Sequence, residues 1–228
     1  MSRERFSPVE FALVVGVAFG YLILASLNAL LSGRTVGEES AARSFGDTHM
    51  YALVLYEVIV TPALLAILHI GGWRMRDLKI APSVSGTVLG LTIFAGMWLG
   101  HWIFTWLMQI VFPAMRSVYE VWGAYRPYEA PTLVAIVLVS VVNPLFEEVF
   151  VCGYVIEALR RRFGTTVAIN VSVVIRAAYH LYQGVAFQPF HIAYGLVQAY
   201  VYVRYDRLWP LFVSHALLDF IPLMFYLI

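Results

Sequence analysis

An all-α membrane bundle of about seven transmembrane helices is the fold class this sequence predicts, on three observations. Of 228 residues, 61% are hydrophobic and 13% charged. Mean hydropathy is +0.78, too high for a domain that must face water over its whole surface. The apolar residues also fall in runs of about 20, the length that crosses roughly 30 Å of hydrocarbon. A formal net charge of +1 gives no sign of a nucleic-acid partner, so membrane lipids are the expected surroundings. With Cys152 as the single cysteine, an intramolecular disulfide is excluded.

The first apolar window, about 9–31, follows Arg3 and Arg5; it is long for a signal-peptide core and no A-x-A-like cleavage site follows, so it reads as a retained span. The second, about 50–72, ends at "GWRMRDLKIAPS", where Trp73 beside a basic cluster fits a half-buried indole at an interface. The third covers about 84–113. The fourth, about 132–159, contains "NPLFEEVFVCGY" and runs into "LRRRFG", a topology signal. The fifth, about 166–183, the sixth, about 190–204 and the shortest, and the seventh, about 208–228, complete one domain spanning 1–228. Two loops stand out: a polar one at about 32–49, and one at about 114–131 with Pro127, Pro131 and several aromatics, expected along the outer interface.

Orientation follows from basic residues in short loops. With the N-terminus cytoplasmic, Arg3, Arg5, Arg74, Arg76, Lys79, Arg160, Arg161, Arg162, Arg204 and Arg207 lie inside. Outside are only Arg34, Arg43, Arg116 and Arg126, so N-inside is expected.

Ionisable side chains inside the spans are expensive and are functional candidates by default. They are Glu57, His69, His101, Glu147, Glu148, Arg176, His180, His215 and Asp219, and six of these nine sit on the fourth, fifth and seventh helices. Arg176 and His180 are four apart, as are His215 and Asp219, so each pair forms a polar stripe on one face of a helix. Such stripes must face protein or trapped water, and three of them satisfy one another by converging. At about 1.5 Å rise per residue, Glu147, Asp219, His180 and His215 lie roughly 18, 16, 20 and 10 Å from the inner ends of their helices, a scatter that tilt absorbs. Pro144, one turn before Glu147, frees a backbone carbonyl near the same place. Two carboxyls, two imidazoles, a guanidinium and a further acid in a partly dry pocket suit peptide-bond hydrolysis: a carboxylate takes a proton from attacking water, and donors opposite meet the oxyanion. Adjacent carboxyls held in different states can take different roles. Glu57, His69 and His101 are isolated and read as interhelical ties, with Glu57 also placed to line a substrate path, and Cys152 reads as a small packed residue.

"EEVFVCGY", "YHLYQG" and "HALLD" are together similar, in order and spacing, to the three motifs of the CAAX prenyl protease and bacteriocin-processing family of intramembrane proteases: Glu-Glu-x-x-x-Arg, Phe-x-x-x-His and His-x-x-x-Asn/Asp. The resemblance covers about 130 to 228. It implies an intramembrane endopeptidase acting on a membrane-associated or lipid-modified peptide, with a bacterial cytoplasmic membrane as the expected setting. Carried over, Glu147 is the base that activates water, Glu148 tunes or anchors the site, and His180 is the second catalytic group. His215 and Asp219 stabilise the oxyanion and order the pocket. Two positions depart from the motifs, Cys152 standing for the arginine and Arg176 for the phenylalanine. A guanidinium moved from the fourth helix to the fifth, still serving the same glutamates, accounts for both. Members of the family are described as metal-dependent or as glutamate-based. Glu147, His180 and His215 could supply a zinc set with an open position for water, although no H-E-x-x-H helix is present. A proton-coupled transporter also needs buried acids and histidines, but the chain lacks the repeat symmetry of many transporters. A non-catalytic scaffold of the same fold is the third reading, and its signature, loss of Glu147, His180 or His215, is not seen.

Overall fold

The computed structural model describes residues 7–33, 46–113, 116 and 130–227. It contains seven principal helices and, among the described residues, no strand. They are α1 (Pro8–Leu31), α2 (Asp47–Ile70), α3 (Val84–Val111), α4 (Leu133–Phe163), α5 (Thr165–Tyr179), α6 (Gln188–Tyr205) and α7 (Trp209–Met224). Short 3₁₀ turns follow α2 at Met75–Leu78 and join α5 to α6 at Leu181–Gln183 and Val185–Phe187.

The first four helices are long and apolar enough to cross a membrane, while α5 and α7 are shorter apolar helices. α4 is the centre of the bundle: 61% of its apolar window is buried, against 11–22% for the other three long spans. The core gathers Val14, Ala18 and Phe19 of α1, Leu64 and Leu68 of α2, and residues 149–152 of α4, which α5, α6 and α7 cover from the other side.

Helix starts follow the sequence. Ser7, Ser83 and Thr132 each accept a hydrogen bond from a backbone N–H of the first turn they cap. Asp47, at the head of α2, accepts from the Thr132 backbone N–H at 2.6 Å, so α2 and α4 start side by side and run parallel. α3 and α7 pack closely at Gly90, where an added Cβ would lie 2.7 Å from the Val213 Cβ and 2.8 Å from the Pro210 carbonyl oxygen.

On one side of the bundle, Lys79 after α2 reaches Glu157 of α4 and Asp206 after α6, both at 2.5 Å. Arg160 joins the same acids at 2.8 and 3.4 Å, and Tyr202 donates to Glu157 at 2.9 Å. Lys79, Arg160 and Arg207, expected on one membrane face, therefore sit at neighbouring helix ends. Arg3, Arg5, Arg34, Arg43, Arg126 and Pro127, with most of the expected loops at 32–49 and 114–131, lie outside the described residues.

Several expectations need correction. The sixth helix is not the shortest: α6 has 18 residues against 15 for α5, because α5 stops at Tyr179 and the chain turns through Gly184 at φ +94, a conformation that favours glycine. Trp73 is buried rather than half-buried, its indole N–H donating to Glu10 at 3.0 Å and its ring 5.2 Å from Tyr154. His69 is exposed in the last turn of α2 and belongs to neither core cluster of the described residues, whereas His101 lays its ring 5.0 Å from Phe190 of α6.

Candidate active site

The site is built around an irregularity in α4. Pro144 has no N–H and its ring crowds the preceding turn, so the regular hydrogen-bond ladder is already interrupted there. From Glu148 to Tyr154 the chain adopts a wider π turn, entirely buried, before regular helix resumes at Val155. Such turns carry one residue more than the α-helix and are frequent at functional sites. Helix α5 supports this one from outside, with the Ser172 hydroxyl donating to the Val151 carbonyl at 2.9 Å.

Arg176, one turn further along α5, is fully buried. Its stem passes Gly195 of α6, where a Cβ would lie 3.3 Å from the Arg176 Cδ, so the glycine makes room for it. The guanidinium lies 5.1 Å from the centre of the Tyr194 ring, a cation–π contact. One nitrogen donates to Glu148 Oε1 at 2.8 Å and the other to Glu147 Oε2 at 3.4 Å. The Cys152 sulfur is 3.9 Å from the first of these nitrogens. The guanidinium thus lies beside position 152, where the family motif places its own arginine.

α7 closes the other side. His215 approaches Glu148 Oε1 with Nδ1 at 2.7 Å; an ionised carboxylate only accepts, so the imidazole is the donor. His215 Nε2 lies 3.9 Å from Glu147 and 3.7 Å from Asp219. Asp219 accepts from the Asn143 side-chain amide of α4 at 3.2 Å. The Asp219 side chain is 26% exposed, against 4% for that of Glu147, so Asp219 is the less buried of the two acids.

The two glutamates are held differently. Glu148 Oε1 is shared by a guanidinium and an imidazole at ion-pair distance. Glu147 makes its contacts with described residues through Oε2: the Tyr179 hydroxyl donates to it at 2.5 Å, with Arg176 farther off. Tyr179 stacks on Phe19 of α1 at 5.1 Å, which fixes the phenol.

Glu147, Glu148, Arg176, His215 and Asp219 therefore converge as the stripe argument expects. His180 is less regular than expected. It is the residue after the last turn of α5, so Arg176 and His180 do not form a stripe along one continuous helix. Its carbonyl accepts from the Gln188 amide at 3.0 Å, and its ring stacks on His191 at 4.3 Å. His191 in turn meets Gln183 at 2.8 Å. His180 makes no hydrogen bond to the glutamates, and its buried Nδ1 has no partner among the described residues. Sequence reasoning missed Tyr179, Asn143, His191 and Tyr194. The first two were findable, lying one and four residues from His180 and Glu147.

Among the described residues no three His, Cys, Asp or Glu side chains are grouped to hold a metal. Of Glu147, His180 and His215, the last meets Glu148 through Nδ1, and the His180 ring is stacked on His191 with its Nδ1 unpartnered among the described residues.

Residues 129–221 match the family described as type II CAAX prenyl endopeptidase, Rce1-like. The match spans α4 to the greater part of α7 and includes every site residue named above, in agreement with the resemblance read from the three motifs. No curated protein and no solved structure gives a significant match.

Proposed function

We propose that this integral membrane protein, whose residues 129–221 match the Rce1-like type II CAAX prenyl endopeptidases, hydrolyses a peptide bond of a membrane-associated or lipid-modified peptide within the bilayer. Glu147 is the general base. It removes a proton from a water held between its carboxylate and the ring of His180, and the oxygen attacks the scissile carbonyl. Arg176 and His215 anchor Glu148 as the fixed counter-charge of the site. His215, held by Glu148 at Nδ1, presents Nε2–H to the oxyanion, and Asp219, tied to Asn143, orders that side of the pocket. Charges in so dry a pocket interact more strongly than in water.

The observation that carries this reading is the unlike setting of two adjacent carboxyls, one held by a guanidinium and an imidazole and one touched mainly by a phenol. No step is routed through a metal. The substrate enters from the bilayer on the side of Asp219. The face with Lys79, Arg160 and Arg207 is the cytoplasmic one, which puts the N-terminus inside.

The test is cleavage of a prenylated CAAX peptide in liposomes by the wild-type protein and by Glu147→Gln, each with and without a chelator. A loss of about 10²-fold or more in kcat on substitution, with no effect of the chelator, is the expected result. Unchanged cleavage by Glu147→Gln removes the proposed base. Loss on chelation alone shows that a metal takes part.

A further inference from the structure

Glu57 of α2 lies outside the family-matched segment, and the mechanism above does not use it. Its side chain is fully buried, and neither carboxyl oxygen has a hydrogen-bond partner among the described residues. No hydrogen bond among the described residues makes the tie between helices the sequence suggested. The Thr61 hydroxyl, one turn along, donates to the Glu57 backbone carbonyl at 2.7 Å rather than to its carboxyl. Burying a carboxyl without a partner is costly, and a leucine would fill the same space more cheaply. A group retained there needs a use.

The register of the helices says where it points. Asp47 is bonded to Thr132, and α2 and α4 run parallel from that contact. Glu57 is ten residues beyond Asp47 and Asn143 eleven beyond Thr132, climbs of about 15 and 16 Å, so the two stand at one level. Between them, Met50, Leu53 and Val54 of α2 pack with Ala135, Ile136 and Val139 of α4, with Phe220 and Leu223 of α7 covering the same seam. One turn further along that seam come Glu57, Asn143 and Asp219, and Asn143 is bonded to Asp219. Tyr56, the neighbour of Glu57, rests its ring 6.5 Å from Phe146, the neighbour of Glu147. Glu57 also lies within electrostatic reach of both Glu147 and Asp219. It is a further buried carboxyl on the side of the site where Asn143 and Asp219 stand.

We propose that Glu57, as a carboxylic acid, is the proton donor to the leaving amine in the reaction of this site. The inference rests on the peptidase reading above. Glu147 takes a proton from water, and the new carbon–oxygen bond gives a tetrahedral intermediate with one anionic oxygen. As the carbon–nitrogen bond breaks, the Glu57 carboxyl passes its proton to nitrogen, and the products are a free amine and a carboxylic acid. The proton held on Glu147 then returns to Glu57 through water, so both carboxyls are restored and one water is consumed.

The test compares a prenylated CAAX peptide with its analogue carrying an ester at the scissile position. An alkoxide leaves far more readily than an amide anion, so the ester needs a proton donor much less. Glu57→Gln keeps the shape of the side chain. It is expected to lower kcat on the peptide by about 10²-fold while leaving KM and ester cleavage within a few fold of wild type. Glu147→Gln is expected to lose both activities. If Glu57→Gln cleaves the peptide at the wild-type rate, or loses peptide and ester cleavage equally, the proposal is overturned. If the wild-type protein cleaves neither substrate, the peptidase reading falls and this inference with it. Should Glu57→Gln not fold, as judged by thermal unfolding, Glu57→Asp is measured instead. It keeps the acid one methylene farther back and must show the same selective loss on the peptide, in smaller degree.

Discussion

Replacing Arg176 by Phe removes the one guanidinium among the described site residues and leaves two adjacent carboxyls with the His215 imidazole beside them. The lost contacts are 2.8 Å to Glu148 and 3.4 Å to Glu147, in a place where the arginine has no exposure to solvent. Removing one partner of a buried pair typically costs about 3–5 kcal/mol, because the other charge is stranded. At about 2–4 °C per kcal/mol for a chain of this size, thermal unfolding in detergent should fall by roughly 6–20 °C. Activity should fall with it, since Glu148 and then His215 lose their fixed positions. The companion variant puts the arginine back on α4. The Cys152 sulfur is 3.9 Å from the guanidinium, so an arginine at 152 can place its head group in the vacated space. Cys152→Arg combined with Arg176→Phe should therefore recover part of both the stability and the cleavage rate lost in Arg176→Phe. If the single substitution costs less than about 1 kcal/mol, or the double variant is no more active than the single one, the guanidinium is not the element that holds the two glutamates.

Two further outcomes are expected. Tyr179→Phe keeps the stacking on Phe19 but deletes the 2.5 Å hydrogen bond to Glu147; at about 1.5–3 kcal/mol for a bond to a charged group, kcat should change by roughly 10- to 100-fold with KM nearly constant, as steady-state kinetics would register. Gly90→Ala would ordinarily stabilise a helix by about 0.5–1 kcal/mol, but its Cβ would lie 2.8 Å from the Pro210 carbonyl oxygen, so a net loss of about 1–3 kcal/mol is expected in thermal unfolding.

The helix count was legible because hydrocarbon thickness sets the length of an apolar run, and the four long spans are found within three or four residues of their expected ends. Glu147, Glu148, Arg176, His215 and Asp219 were legible as one cluster for a different reason: the cost of each in lipid makes its presence informative. What stayed hidden depends on relations between helices rather than within them. Nothing local sets Glu57 level with Asn143; that follows from Asp47 meeting Thr132, a contact across 85 residues of sequence. Tyr179 was hidden because a tyrosine in a membrane protein reads as an interfacial residue, yet its hydroxyl is turned inward to Glu147. His180 was misplaced because regular spacing was assumed to continue to 183, whereas α5 ends at Tyr179.

The wide turn at Glu148–Tyr154 gears the reactive centre to the rim of the molecule. Upstream of it stands Glu147; downstream, after regular winding resumes, comes Glu157, which grips Lys79, Arg160 and Tyr202. Winding the same residues as regular helix, with none removed, would swing everything after them by about 100°. Glu157 would then face away from Lys79 and Tyr202, so the chain keeps both its chemistry and its anchorage by keeping a locally imperfect coil.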